Sequence, residues 1–281
     1  MTPRIAALTM ARNDEFFLHH WISYYGAQLG KENLWVFLDG TDQTLSQPVP
    51  ERVHLAVVDH LSGNRTAADR RRIAFLSTEA EKLFTLNHYD LVIGTDVDEF
   101  LLVDPELNQT LSEFLLSCKP SFSLSALGID VGQHLHDEAP LNPSHGLLSQ
   151  RRYALINDRY TKASVLARPV VWGSGFHRVR KHNFHIVDGL FLFHFGCVDF
   201  GMLRDRISKN ERPDSGWEKH LERRARTIRI ITNTEPKAWE QTTSRARRIQ
   251  NVFRQPYAWN KPTMLRQRWV VEIPERYRNI V

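Results

Sequence analysis

Two cysteines in 281 residues, Cys118 and Cys197, are too few for a disulfide framework in a chain of this size, and their spacing fits no zinc motif. Nor is there an apolar run approaching the roughly 18 residues that span a bilayer. The amino terminus turns polar at Ala11 to Glu15, after one strand's length, which is too soon for the apolar core and cleavage site of a secretory leader. Cytoplasmic residence is therefore expected, with peripheral attachment to the inner face of the membrane as a variant of it. There is no internal repeat, and with 42% hydrophobic and 25% charged residues wholesale disorder is not expected.

What is present is unevenly spread. Beyond residue 200 there are 19 Lys+Arg against 9 Asp+Glu, net +10, which leaves 18 against 23, or −5, for residues 1–200. That split suggests an acidic body with a basic tail whose partners are anionic. The most informative stretch is Leu91 to Leu102. Leu91, Val92 and Ile93 read as a short buried strand, followed by Gly94 and Thr95 and then by Asp96, Asp98 and Glu99. If the extended backbone continues, Asp96 and Asp98 share a face a few Å apart. Like charges so close invite a hard divalent cation, Mg²⁺ or Mn²⁺, which prefers oxygen ligands. A solvated turn is the simpler reading, but apolar residues resume at once from Phe100 to Val103, so the acids interrupt a buried path.

The rest of the chain supplies a setting. Arg4 to Met10 reads as a first strand and is followed by a polar loop. Asn13 or Asp14 is placed to cap a helix bearing Leu18, Trp21, Ile22, Tyr25 and Leu29 at helical spacing, which Gly30 stops. Leu34 to Leu38, His54 to Val58 and Leu91 to Thr95 are further strands, and Thr66 to Leu86 is a long helix. The alternation predicts an α/β fold with a largely parallel sheet covered by helices on both faces, whose ligands bind beyond the carboxyl ends of the strands. Asn13, Asp39 and Asp96 all lie at such ends. A helix at Leu111 to Cys118, a strand from Phe122 to Asp130, a surface loop over 131–150, strands at Tyr160 to Pro169 and Phe184 to Phe195, and an Arg-rich helical pattern beyond Asp199 follow.

Taken in order, Arg12 to Glu15 with Trp21, Tyr24 and Gly30, then Asp39 to Thr41, then Thr95 to Leu101, resemble the family 2-like and family 92-like glycosyltransferases of the GT-A fold. Lys162, Arg168, His177 and the Phe193 to Phe195 triplet continue the likeness, which covers residues 4 to 210. The chain departs from the family pattern in having Asp14 for the loop Glu, Val131 for a Phe, and Phe195 where Tyr follows the late His. The resemblance implies a Rossmann-like GT-A catalytic domain at 1–200, a basic, mainly helical extension at 201–281, and transfer of a sugar from a nucleotide-sugar donor, UDP-linked, to a glycan or lipid-linked acceptor. It implies that Asp98, Asp96 and His194 hold Mn²⁺ or Mg²⁺, and that Arg12, Asn13, Asp39, Arg65, Asp96, Lys162 and His177 bind the donor. For an inverting transfer a carboxylate should take the acceptor's proton, and Asp130 at a strand end is the candidate.

Simpler readings stand beside several of these. Asn13 can be a helix cap, His194 a core histidine, Lys162 a surface lysine, and Arg70, Arg71 and Arg72 a solvated helix face whose start points toward the site. Trp21 and Tyr24 read as core and rim. In the tail, Arg223, Arg224, Arg226, Arg245, Arg247 and Arg248 interleave with Phe253, Tyr257, Trp259 and Trp269. That mix suits an anionic membrane surface or packing against the body, and no nucleic-acid recognition motif accompanies it. The alternative to an enzyme is a degenerate GT-A module that binds anionic glycan or membrane without catalysis.

Overall fold

The computed structural model describes residues 3–60, 64–208 and 217–281. It is an α/β protein of the expected class, built on one ten-stranded sheet. Strands β1 (Ile5–Ala11), β2 (Leu34–Asp39), β3 (His54–Val58) and β4 (Leu91–Gly94) form a parallel block in the order β3-β2-β1-β4. Helix α1 (Glu15–Leu29) connects β1 to β2, and α2 (Arg65–Thr85) connects β3 to β4.

Side-chain alternation along the central strands builds the two layers. In β1, Ile5, Ala7 and Ala11 join Phe17, Leu18 and Trp21 of α1, whereas Ala6, Leu8 and Met10 join Ile73, Leu76, Ala80 and Leu83 of α2. A strand buried on both sides must be apolar throughout, and all seven residues of β1 are buried. At the sheet's edge β3 keeps Leu55 and Val57 exposed.

Beyond β4 the sheet turns antiparallel. β8 (Lys162–Leu166) pairs with β4, β6 (Ser123–Gly132) with β8, and β7 (Tyr153–Ile156) with β6. A branch from β6 carries β9 (Ile186–Cys197) in parallel, and β9 pairs with β5 (Glu99–Val103). Helix α3 (Leu111–Ser117) follows β5 and is closed by a capping box between Thr110 and Glu113. Between β6 and β7 the expected long loop is present, although Leu147 and Leu148 anchor it in the core.

The carboxyl-terminal segment is helical at first, through α4 (Phe200–Ser208), α5 (Trp217–Asn233) and α6 (Trp239–Val252). Strands β10 (Arg254–Gln255), β11 (Ala258–Pro262) and β12 (Trp269–Glu272) then follow, within the segment expected to be mainly helical. β10 and β11 make a separate hairpin, and β12 joins the main sheet antiparallel to β7. Trp239, Ala246, Trp269, Val271 and Tyr277 all belong to the same apolar cluster as Phe100, Ile129 and Phe193. The reason is local: Trp269, Val270 and Val271 are one short apolar run among charged residues, long enough for an edge strand and too short to show a period.

This segment is also tied down by charge. Arg276 donates to both oxygens of Asp104, at 2.8 and 2.9 Å, on the connection between β5 and α3. Burial works against ionisation of Asp104, but the Arg276 guanidinium and the Glu106 N–H outweigh it and hold the carboxyl below its ordinary value. A carboxylate depressed in the folded state contributes stability above the unfolded value of about 4 and loses it as the pH falls through the folded value. Replacing Arg276 by Met is expected to lower the unfolding free energy at pH 7 by about 1.5–3 kcal/mol. In urea titrations the gap to the wild type narrows as the pH drops below about 4.

Candidate active site

Gly94 ends β4, and no larger residue fits there: a Cβ would lie 2.7 Å from the rings of Trp172 and Phe176, which close the sheet below. Thr95 is fully buried; its hydroxyl accepts the Trp21 indole N–H at 2.8 Å, and its carbonyl accepts the Thr9 hydroxyl at 2.8 Å. Tyr24 donates to the Leu101 carbonyl, and Tyr25 accepts from the Leu101 N–H. Helix α1 thus grips the chain on both sides of the acids, which gives Trp21 and Tyr24 a structural part.

Between these grips the backbone does not stay extended, as the spacing predicted. It forms a turn closed by the Glu99 N–H on the Asp96 carbonyl at 3.0 Å, and Asp98 lies within it. The turn still gathers the acids, because one oxygen from each of Asp96, Asp98 and Glu99 lies within 4.8 Å of the others. At such a separation two unit charges repel by about 4 kcal/mol at an effective dielectric near 20.

Four cationic groups converge on the cluster. Lys162, on β8 and 3% exposed, lies 2.9 Å from Asp96 Oδ2 and 2.5 Å from Glu99 Oε1. Arg72 of α2 reaches Asp96 Oδ1, and its guanidinium and the Lys162 ammonium both lie over the Phe176 ring, at 5.5 and 5.8 Å. Arg224 of α5 donates to Asp98 Oδ2 at 3.0 Å. His194 Nε2 is 3.4 Å from the same oxygen. Burial works against the Lys162 ammonium, but Asp96 and Glu99 push it up to about 12. Glu99 is pushed up to about 7, chiefly by burial and against the pull of Lys162. Despite burial, Arg72 and Lys162 hold Asp96 well below the carboxylate range.

Strand register places the histidine. In β9, His194 stands opposite Glu99 of β5 and beside Asp130 of β6. Its Nδ1 lies 2.7 Å from Asp130 Oδ1, and its ring stacks on Tyr160 at 3.6 Å. Burial opposes protonation, yet Asp98 and Asp130 raise the imidazole to about 9. Asp130, the expected acceptor base, is 1% exposed, and its other oxygen accepts from Asn157 at 3.1 Å and Thr227 at 3.3 Å. Both of its oxygens face protein groups, so its place is behind His194 and not on an open acceptor side.

The remaining expected residues lie at the neighbouring strand ends. Arg12 forks onto Asp42 at 2.8 and 2.9 Å and donates to the Asp39 carbonyl. Asn13 sits in the left-handed region at φ 53° and exchanges hydrogen bonds with the Gln43 amide; Asp14 takes the cap position of α1 without a side-chain cap. Asp39 meets His60 at 3.1 Å. His177 closes the short turn that carries Phe176. Arg65 opens α2, and its side chain lies outside the described residues. Sequence reasoning does not single out Glu99, Arg224 or Tyr160 as site residues, and it reaches Arg72 only as one of three arginines at a helix start that points toward the site. The Asp-x-Asp-Glu run and the two Arg triplets were visible, but which arginine faces inward is decided by packing.

Neither a family model nor a curated protein sequence matches the chain. Among solved structures, it is similar to a glycosyltransferase involved in the glycosylation of the major capsid of PBCV-1, at 13% identity and a TM-score of 0.27 over 45% of this chain and 52% of that one. It is also similar to a mannose-1-phosphate geranyltransferase from Thermus thermophilus, at 10% identity and a TM-score of 0.31 over 83% of this chain and 65% of that one. The chain thus spans about half the length of the first and 65% of the second. Likenesses this slight carry no weight for the reading of the site.

Removing the ammonium between Asp96 and Glu99 leaves the buried Glu99 carboxylate without its cation, while Asp96 keeps Arg72. Replacing Lys162 by Met is expected to cost about 3–5 kcal/mol of unfolding free energy. The Lys162→Met, Glu99→Gln double variant should lose less than the single one, which urea titration of the two proteins checks.

Proposed function

We propose that this chain is a glycosyltransferase that moves a sugar from a nucleotide-sugar donor, UDP-linked, to a hydroxyl of a glycan or lipid-linked acceptor with inversion. The observation that carries the reading is the cluster of Asp96, Asp98 and Glu99 just beyond the carboxyl end of β4, beside the ends of β1 and β2 where Asn13 and Asp39 lie. Ligands of α/β sheets bind at such strand ends, and the ordered motif series from Arg12 to His194 supports a nucleotide-sugar ligand. In this reading Asn13 and Asp39 line the nucleoside end, while Arg12, Arg65 and His177 are donor contacts by resemblance.

The donor atoms suit a divalent ion. Asp98 Oδ2 and His194 Nε2, 3.4 Å apart, offer an oxygen and an imidazole nitrogen, a mixture that favours Mn²⁺ over Mg²⁺, with Asp96 close by. Such an ion would neutralise charge on the departing nucleoside diphosphate. Asp130 acts as a positioning residue: by engaging Nδ1 it turns Nε2 of His194 toward Asp98, the outer support that ligating histidines commonly have. Lys162 and Arg72 fix the Asp96 carboxylate and add positive potential where phosphate oxygens would lie.

The second reading, binding without transfer, draws on the pairing of every acid in the cluster with a protein cation. The two part on turnover. In a panel of UDP- and GDP-sugars with Mn²⁺, the wild type should release nucleotide, and Asp98→Ala, assayed at a temperature where circular dichroism shows it folded, should lower kcat/KM by roughly 100-fold or more, about 3 kcal/mol. Chelation should stop turnover and added Mn²⁺ should restore it. A wild type that turns over no nucleotide sugar, or an Asp98→Ala protein of full activity, defeats the proposal.

A further inference from the structure

The hairpin of β10 and β11 stands outside the catalytic reading, and its surface is inverted relative to ordinary hairpins. Its inward face is small or polar and well fixed: Ala258 and Asn260 are buried, and the Asn260 amide donates to the carbonyls of Val179 at 2.8 Å and His182 at 3.1 Å. Between them Trp259 points out and is 59% exposed, and Tyr257 in the turn is 73% exposed. Val252 and Phe253 just before the hairpin and Leu265 just after it are exposed as well. Thirteen large hydrophobic side chains are exposed among the described residues, and five of them fall within 252–265. Monomeric proteins seldom concentrate exposed apolar groups without a partner for them.

Charge identifies the partner. From Gln241 to Val271 the chain carries six Arg and one Lys and no Asp or Glu. Arg266 and Arg268 are exposed beside Leu265, and Lys261 lies over the Tyr257 ring at 5.8 Å. Arg254 covers the Phe184 ring at 4.2 Å at the hairpin's base. Tyr and Trp are the residues that settle at the boundary between headgroups and acyl chains, and basic residues around them favour an anionic leaflet. We infer that the β10–β11 hairpin is a membrane-docking element that seats Tyr257 and Trp259 at the headgroup level of an anionic lipid surface, with Arg266 and Arg268 on the lipid phosphates.

The docking element is also near the site. Asp158, four residues before Lys162 on the connection into β8, accepts the Gln255 side-chain N–H at 3.3 Å and the Met264 N–H at 2.8 Å, so the hairpin is fastened beside the strand that carries the lysine holding Asp96. Taken with the proposed glycosyl transfer, this placement would bring a lipid-linked acceptor to the cluster; the docking itself needs no such activity.

Vesicle flotation of the full chain tests the inference without any turnover. Binding is expected with vesicles containing phosphatidylglycerol, weaker binding at high salt, and little with phosphatidylcholine alone. The Tyr257→Ser, Trp259→Ser double variant should bind the anionic vesicles at least roughly tenfold less. Its melting temperature should be unchanged, since both side chains are exposed; Arg266→Gln, Arg268→Gln should weaken binding through charge alone. In the wild type, amides of residues 256–262 should gain protection from hydrogen exchange on the vesicles. A wild type that stays unbound by anionic vesicles, equal binding by the aromatic variant, or hairpin amides unprotected on the vesicles would overturn it, as would retention on immobilised glycan with no vesicle binding.

Discussion

Three carboxylates drawn within 4.8 Å of one another, two of them buried, are the constraint on which the arrangement around them depends. Their mutual repulsion and the loss of hydration would open the turn unless cations close in from other parts of the chain. Lys162 comes from β8, Arg72 from α2, Arg224 from α5 and His194 from β9. Each cation belongs to a different element, so the acid turn is a junction that fastens those elements to the end of β4.

This dependence explains why the carboxyl-terminal segment belongs to the site. Arg224 reaches Asp98, and Thr227, one turn further along α5, reaches Asp130. Gly196 leaves the notch they need, since a Cβ there would stand 2.6 Å from the Arg224 guanidinium carbon and 2.5 Å from the His194 ring. Arg224 lies against both atoms proposed to hold a divalent ion, 3.0 Å from Asp98 and 3.5 Å from His194. In this structure it supplies the positive charge those atoms call for. On the other side of the turn, α1 contributes grip without charge, through Trp21 on Thr95 and the two tyrosines on Leu101.

The first hundred residues were readable because their elements are long and regular. The apolar runs of β1, β2 and β4 and the helical spacing of α1 and α2 each point to one answer, and strand ends follow from them. Asp96 and Asp98 were visible as acids that interrupt a buried path, although the turn that gathers them was not. The site's cations were legible as residue types and not as partners: Arg72 sat in a triplet that reads as a solvated face, and Arg224 in a tail that reads as surface. Asp130 could be placed at a strand end, but its pairing with His194 depends on the register of β6 against β9, which no local pattern encodes. β7 and β10 to β12 escaped for a simpler reason: their few apolar residues lie among charged and polar neighbours, so no period shows.

The central claim is that the acid cluster and its cations form a donor site. Calorimetric titration of the wild type and of Asp96→Asn with UDP and GDP, with and without Mn²⁺, measures it most directly. The account predicts that one nucleotide diphosphate binds the wild type more tightly when Mn²⁺ is present, and that Asp96→Asn weakens this binding by roughly tenfold or more, about 1.4 kcal/mol. Failure of both nucleotides to bind the wild type under either condition, or equal affinity in the two proteins, would contradict it.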